Sequence, residues 1–419
     1  MPAFQTPVGT RDVLPPESAR WEALVAHFAG RVERAGYGLV VSPTFEDVAV
    51  FERVGEATDV VRKEMYDFDD KGGRRLALRP EGTASVVRAF VQHRPPVPFK
   101  AWYVAPNFRY ERPQKGRLRQ HHQLGVEALG SDDPDLDVEV IALADRFYRR
   151  DLGLEHVTLL LNSLGDAACR PPYLDALRTW LSDRAAGLCE EHRERYADNP
   201  LRVLDCKREA CATQTKDAPR MLDNLCEACA THFAAVRSGL DALGIAFTLE
   251  PRLVRGLDYY TRTTFEFQTT ALDAAQNAVG GGGRYDGLAE ALGGPPTPGI
   301  GFGIGIERLL LACDAEGRLP LPGSRVAVWV VDVVGQGDGP AIVDQLREAG
   351  IGADRGFDQR SMKAQFKLAD RSGAALAVVI GEQEAAEGSA SVRDLRGEGG
   401  QETVSRDQLV DTIRKRLDA

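Results

Sequence analysis

Between Asn107 and His122, five cations (Arg109, Arg112, Lys115, Arg117 and Arg119) stand against one acid, Glu111, in a chain whose formal charge is −10. Scattered charge needs no more than a solvated loop, but a local inversion of sign asks for an anion. Strand-like Trp102, Tyr103 and Val104 precede the basic run and HHQLGVEALG follows it, which reads as a hairpin with a long basic loop. Alternation then puts Arg109 on one sheet face beside Gln123 and Glu127 of the return strand. A guanidinium held there can fork onto phosphate oxygens and offset the charge that develops when a carboxylate attacks an α-phosphate. Arg117 or Arg119 could grip the outer phosphates, and the same loop could touch an RNA end.

Three other segments carry chemistry-bearing residues. LVRGLDYYTRTTFEF sets Arg255, Tyr259 and Tyr260 ahead of an alternating strand. An ordinary aromatic strand turning at Gly256 would also explain it; yet adjacent tyrosines in extended chain point to opposite faces, so one phenol should line a pocket. RPEGTA offers Glu81 and Thr83 either as a helix cap with a first-turn acid or as acceptors for an ammonium group. GGGGRYDGL, with Tyr285, is a flexible turn or a place where backbone comes close to a ligand. PGIGFGIGIERLLL runs from a glycine-interrupted strand into a helix bearing Glu307 and Arg308, where an arginine could stack on a purine and reach a terminal phosphate.

The elements that must position these residues can be read from periodicity. Trp21, Leu24, Val25, Phe28 and Val32 predict an amphipathic helix from Ser18 to about Ala35, with Ser18 as N-cap, before a short strand Leu39 to Ser42 that stops at Pro43. Val138, Ile141, Ala144 and Phe147 predict a second helix over 135–150, followed by the strand VTLLLN. From about Asp166 to Leu243 the text turns charged, alanine-rich and cysteine-rich, which predicts an inserted helical module. LPLPGS near Leu319 reads as a linker, and beyond it strand and helix alternate as in a small α/β domain. At 419 residues the chain is too long for one small core. It has no run of eighteen apolar residues, and MPAFQTPVGTRDVLPPES lacks both a basic n-region and an apolar h-region, so no membrane association and a cytoplasmic location are expected. Seven cysteines in such a chain point to thiols rather than disulfides. Cys206, Cys211, Cys226 and Cys229, with Cys189 and His192 upstream, either supply a structural zinc site or share a buried helical face.

FRYERPQKGRLRQHHQLG and LVRGLDYYTRTTFEF together resemble the histidyl-tRNA synthetases. FRYER, its loop and the return strand look like motif 2 of class II aminoacyl-tRNA synthetases, GIGIERLLL like motif 3, and the Ser18 to Pro43 unit like motif 1; the resemblance covers nearly the whole chain. It implies an α+β fold, a class II antiparallel sheet flanked by helices, with a catalytic domain over 1–322 interrupted by the insertion (166–243) and an anticodon-binding α/β domain over 323–419. It implies ATP with Mg2+, L-histidine and tRNA(His) as partners, and a homodimer; it does not require zinc. Arg255 would neutralise carboxylate and α-phosphate together with Arg109. Glu81 and Thr83 would hold the amino group, Gln123 and Glu127 would complete the polar lining, and Tyr259, Tyr260 and Tyr285 would surround the amino acid. Arg109, Arg117, Arg119 and Arg308 would take the nucleotide. Two other classes share this body, a histidine-sensing regulatory subunit of ATP phosphoribosyltransferase and a non-catalytic RNA-binding module; the presence of Arg109, Arg255 and Arg308 speaks against both.

Overall fold

Alternation with a period of two along six long strands gives the chain its main scaffold. The computed structural model describes all residues except 1–3, 56, 57, 59, 115, 205, 207, 255, 274–276, 336, 337, 359, 398 and 419. Two compact units divide after Pro320. In the first, an eight-stranded sheet is formed by β1 (Gly38–Leu39), β2 (Phe99–Phe108), β3 (Gln120–Leu129), β4 (Val157–Ser163), β5 (Thr248–Leu249), β6 (Thr261–Thr269), β7 (Ala278–Arg284) and β8 (Gly299–Gly305). Their spatial order is β1-β2-β3-β8-β7-β6-β4-β5. The short outer strands β1 and β5 pair in parallel, and every other pairing is antiparallel.

One face of this sheet is apolar. Leu124, Val126, Phe265, Phe267, Ile300, Phe302 and Ile304 are buried there against helix α1 (Glu17–Glu33) and helix α2 (Pro134–Arg146), which add Leu24, Phe28, Val32, Ile141 and Ala144 to one core. Burying a side chain of this size stabilises by roughly 1.5–3 kcal/mol, so this face fixes the register of the strands. Helix α1 begins one residue earlier than the sequence predicts. Pro16 is its N-cap and Ser18 sits inside the first turn, so the Ser18 cap is not formed. The following strand is two residues long, Gly38–Leu39, and ends short of Pro43. Pro43 is held instead by Arg79, whose buried guanidinium donates to the carbonyls of Ser42, Pro43 and Pro106. A small sheet of Phe45–Asp47, Arg75–Leu78 and Tyr66–Asp69 lies outside anything the periodicity predicts.

The cysteine-rich segment is helical, from Arg170–Ser182 to Glu227–Ala242. It is not one independent body. Phe233, Val236 and Leu240 of the last helix join the main core, and a Cβ on Gly239 would collide with Val138 of α2. A separate small core runs only from Cys169 to Cys229.

In the second unit a five-stranded sheet has Val328–Asp332 between the parallel strands Ala353–Arg355 and Leu376–Ile380, then an antiparallel pair, Ser389–Asp394 and Gln401–Ser405. Strand and helix alternate through its first half as expected; the terminal hairpin is the departure. Among the described residues no helix is long and apolar enough to cross a membrane.

Candidate active site

Across β3, β8 and β7 the middle of the second face of the large sheet is polar or bare, while Ala101, Tyr103 and Ala105 of β2 cover its edge. Gln123, Gly125 and Glu127 of β3 lie opposite Gly305, Gly303 and Gly301 of β8. Gly281 and Gly283 of β7 continue the row opposite Gly303 and Gly301, and Glu266 of β6 stands opposite Gly281. Alternate residues share a face, so the glycines of GIGFGIG and GGGG make a floor without side chains, ringed by polar groups. The bareness is required: a Cβ on Gly301 would overlap the Glu127 carboxylate and the Val126 carbonyl.

At one end of this floor is a cleft of about 270 Å³. Arg109, Arg117 and Arg308 line it with Glu111, Glu266, Glu307, His121 and Gln123. Arg109 is aimed by its Nε, which donates to the Pro80 carbonyl at 2.9 Å, and Arg308 by Nη1, which donates to the Ala278 carbonyl at 2.8 Å. The Nε of Arg308 is buried with no hydrogen-bond partner among the described residues. Burial first, then the neighbouring Arg117 guanidinium and the more distant Arg109, hold the Arg308 pKa below its usual value, while Glu111 and Glu266 oppose them. A cluster of like charges that disfavours itself in this way is stabilised by a polyanion. His121 is pushed down to about 3 by burial and by Arg109, His122 and Arg308, so it stays neutral in the cleft. Glu307 is used structurally: both its oxygens accept from the His122 amide at 3.0 Å, and His122 Nδ1 lies 2.9 Å away, which pins the Ile306–Ala315 helix to β3. Asn107 donates to the Gln123 side-chain oxygen at 2.6 Å and leaves the Gln123 amide nitrogen as its donor.

At the other end the floor closes on Glu127, which is fully buried. Its carboxylate accepts from the Thr83 hydroxyl at 2.7 Å and the Tyr285 phenol at 2.5 Å. Burial pushes its pKa up to about 8, against the lowering effect of those two hydrogen bonds and with the Glu81 charge adding to the rise. Glu81 accepts from the amides of Thr83 at 2.6 Å and Ala84 at 2.8 Å, the first amides of the Thr83–His93 helix, so its cap role is realised. Each oxygen keeps a second lone pair, and capping therefore leaves room for an ammonium donor. Burial raises the Glu81 carboxyl as well. Tyr259 and Tyr260 do not point to opposite faces. Residues 256–259 form a bend and turn, the strand begins at Thr261, and the two rings lie against each other tilted by 43° with centroids 4.7 Å apart; Tyr259 also meets Tyr285 edge-on at 6.0 Å.

Two further corrections concern predicted ligands. Arg119 is not among the residues lining the cleft; its guanidinium stacks 3.9 Å over the Tyr110 ring and its Nε donates to the Glu111 carbonyl. The cysteines do not gather into one four-sulfur site. Cys206 and Cys211 fall in with Cys189 and His192, while Cys226 and Cys229 fall in with Asp166 and Cys169, because two different helix starts bring the pairs to separate places. Arg255 and Lys115 lie outside the described residues. His121 and Glu266 were legible in principle, since each shares the parity of a polar neighbour in its own strand, HHQLGVE and TTFEF; Arg79 carried no local signal.

A family model described as histidyl-tRNA synthetase matches residues 9–309, and one described as an anticodon binding domain matches residues 330–416. A protein of Rhodococcus erythropolis named histidine–tRNA ligase is 50% identical over 98% of this chain and 97% of its own length. The protein of that name from Moorella thermoacetica is also 50% identical, over the same shares. Among solved structures, apo histidyl-tRNA synthetase from S. aureus superposes with a TM-score of 0.83 at 37% identity, covering 98% of this chain and all of that one.

Proposed function

The chain belongs to the histidyl-tRNA synthetase family, and from that premise we infer how its sheet face is used. The activity is that of an ATP-dependent histidine–tRNA ligase. The carboxylate of L-histidine attacks the α-phosphorus of ATP, a new O–P bond forms as diphosphate leaves, and the adenylate then passes its histidyl group to the 3′ end of tRNA(His), releasing AMP. No enzyme nucleophile is needed, so positioning and charge neutralisation are the work of the protein.

The observation that carries the assignment of the site is the juxtaposition of three cleft arginines with a buried carboxylate–tyrosine cluster beside one glycine floor. ATP enters as its magnesium complex, with its triphosphate against Arg109, Arg117 and Arg308; Glu111 and Glu266 offer oxygen ligands of the kind magnesium takes. The buried Nε of Arg308, which has no partner among the described residues, gains an acceptor on binding. Histidine occupies the Glu127 end, its imidazole N–H on Glu127 and the ring beside Tyr259, Tyr260 and Tyr285, and its ammonium on Glu81 and Thr83, with Gln123 completing the polar lining. Arg255, by the family motif, bridges the histidine carboxylate and the α-phosphate. Arg119 is assigned to the loop, bracing it through Tyr110 rather than touching phosphate. The C-terminal unit, which matches the anticodon-binding family, reads the tRNA anticodon. A cytoplasmic homodimer follows from the family. Exchange of labelled pyrophosphate into ATP, run with single amino acids, should proceed with histidine; exchange with none, or with a different amino acid, overturns the reading.

A further inference from the structure

Six of the seven cysteines lie in the insertion or at its ends, and the fold sorts them into two groups of three, each with a different fourth partner. Cys189, His192, Cys206 and Cys211 form one; Asp166, Cys169, Cys226 and Cys229 form the other, and within each group the donor atoms lie within 4.8 Å of one another. His192 Nδ1 is 3.4 Å from Cys189 Sγ and 3.5 Å from Cys211 Sγ. Asp166 Oδ1 is 3.5 Å from Cys169 Sγ and 3.8 Å from Cys226 Sγ. A tetrahedral zinc with bonds of about 2.3 Å to sulfur and about 2.0 Å to nitrogen or oxygen spaces its ligands about 3.5–3.8 Å apart.

Two independent features point the same way. Backbone amides already donate to the sulfurs, Cys189 N to Cys211 Sγ at 3.4 Å and Asp166 N to Cys169 Sγ at 3.3 Å, as outer-shell donors do around a metal thiolate. The module is also thinly built. Its buried core has ten side chains, three of them these cysteines, and its helices Glu190–Arg195, Pro200–Leu204 and Glu209–Gln214 are six residues or fewer. Helices this short do not persist in water by themselves, and small cores of this kind are held by staples.

We propose that the insertion carries two separate structural zinc sites, a Cys3His site within the module and a Cys3Asp site at its neck. The thiols lose their protons to solvent on binding. The neck site ties the point where the chain leaves β4, at Asp166 and Cys169, to the point where it returns, at Cys226 and Cys229. Arg262 of β6 lies 3.6 Å from the outer oxygen of Asp166 and orients it, and Arg170, next to Cys169, donates to the Tyr260 carbonyl at 2.9 Å. The neck thus abuts the two-tyrosine turn of the histidine pocket, and the other site lies within the module, whose Leu201 and Arg202 also touch that turn.

Emission spectroscopy on the full chain purified under reducing conditions should find two zinc ions per chain. X-ray absorption at the zinc edge should find an average of three sulfur ligands and one nitrogen or oxygen ligand. Cys206→Ser with Cys211→Ser should remove one zinc; Cys226→Ser with Cys229→Ser should remove the other and raise the KM for histidine by roughly tenfold or more, the order expected of losing one positioning contact. Cys313→Ser should lose none. Less than about 0.2 zinc per chain, or a single zinc with four sulfur ligands, overturns the proposal. If either paired variant fails to fold, the metal count and coordination of the unaltered chain decide alone, and neither depends on the ligase reading, which exchange with histidine tests separately.

Discussion

Single residues decide the charge balance of the site. Arg308 has its Nη1 on Ala278, a buried Nε without a partner among the described residues, and two other guanidiniums across the cleft. If it meets the triphosphate, Arg308→Ala should slow adenylate formation by about two to three orders of magnitude, as loss of a preorganised charge contact does; single-turnover kinetics within tenfold of the parent would remove it from that role. Glu127 gives a pH prediction. Its folded pKa, about 8, lies above the ordinary 4.5, so between those values the ligand-free folded state holds a proton that the unfolded chain has released. Its contribution to stability is therefore largest at the acid end and declines as pH rises through that window, and Glu127→Gln should flatten the decline. An imidazole N–H donor favours the ionised form, so histidine binding at pH 7 should release protons; calorimetry in buffers of different ionisation enthalpy should detect this in the parent and not in Glu127→Gln. Legibility at this scale followed mechanism: Arg109, Arg308 and Glu127 could be picked out because strand parity and local charge expose them, whereas the stacking of Arg119 on Tyr110 depends on a loop path that no local rule specifies.

Elements were legible where burial imposes a period. The long strands, α1 and α2 announce themselves through one apolar face, but the two tyrosines were misplaced because a turn at residues 256–259 interrupts the alternation just where the pocket forms. Junctions between elements rest on buried polar groups. Arg284 of β7 is fully buried, with Nη2 2.6 Å from Asp137 of α2 and Nη1 3.2 Å from Asp286. It also donates to the carbonyls of Ser131 and Asp133, so it ties the start of α2 to the Gly-rich strand beside the pocket. Removing one partner strands the other charge, and Arg284→Ala should lower the unfolding free energy by about 3–5 kcal/mol in urea titrations; a change under about 1 kcal/mol would show the pair to be dispensable.

For the whole molecule, the division after Pro320 gives each unit its own core, the second one around Val330, Val378 and Ile413. A chain ending at Pro320 should therefore keep histidine-dependent pyrophosphate exchange within about tenfold while losing most tRNA charging; equal loss of both would mean that the first unit does not stand alone. From the order of the basic hairpin, RGLDYY, GGGGRYDGL and GIERLLL the sequence by itself determined the family, and periodicity determined the two-faced sheet, because apolar burial and side-chain alternation are local rules written residue by residue. Only the tertiary structure decided that glycines of two strands join into one bare floor, that Glu81 caps a helix while buried beside Thr83 and Glu127, and that six cysteines divide into two clusters. Those outcomes depend on which distant segments pair and in which register, a choice made by burying the shared apolar face and invisible to any window of sequence that contains one partner alone.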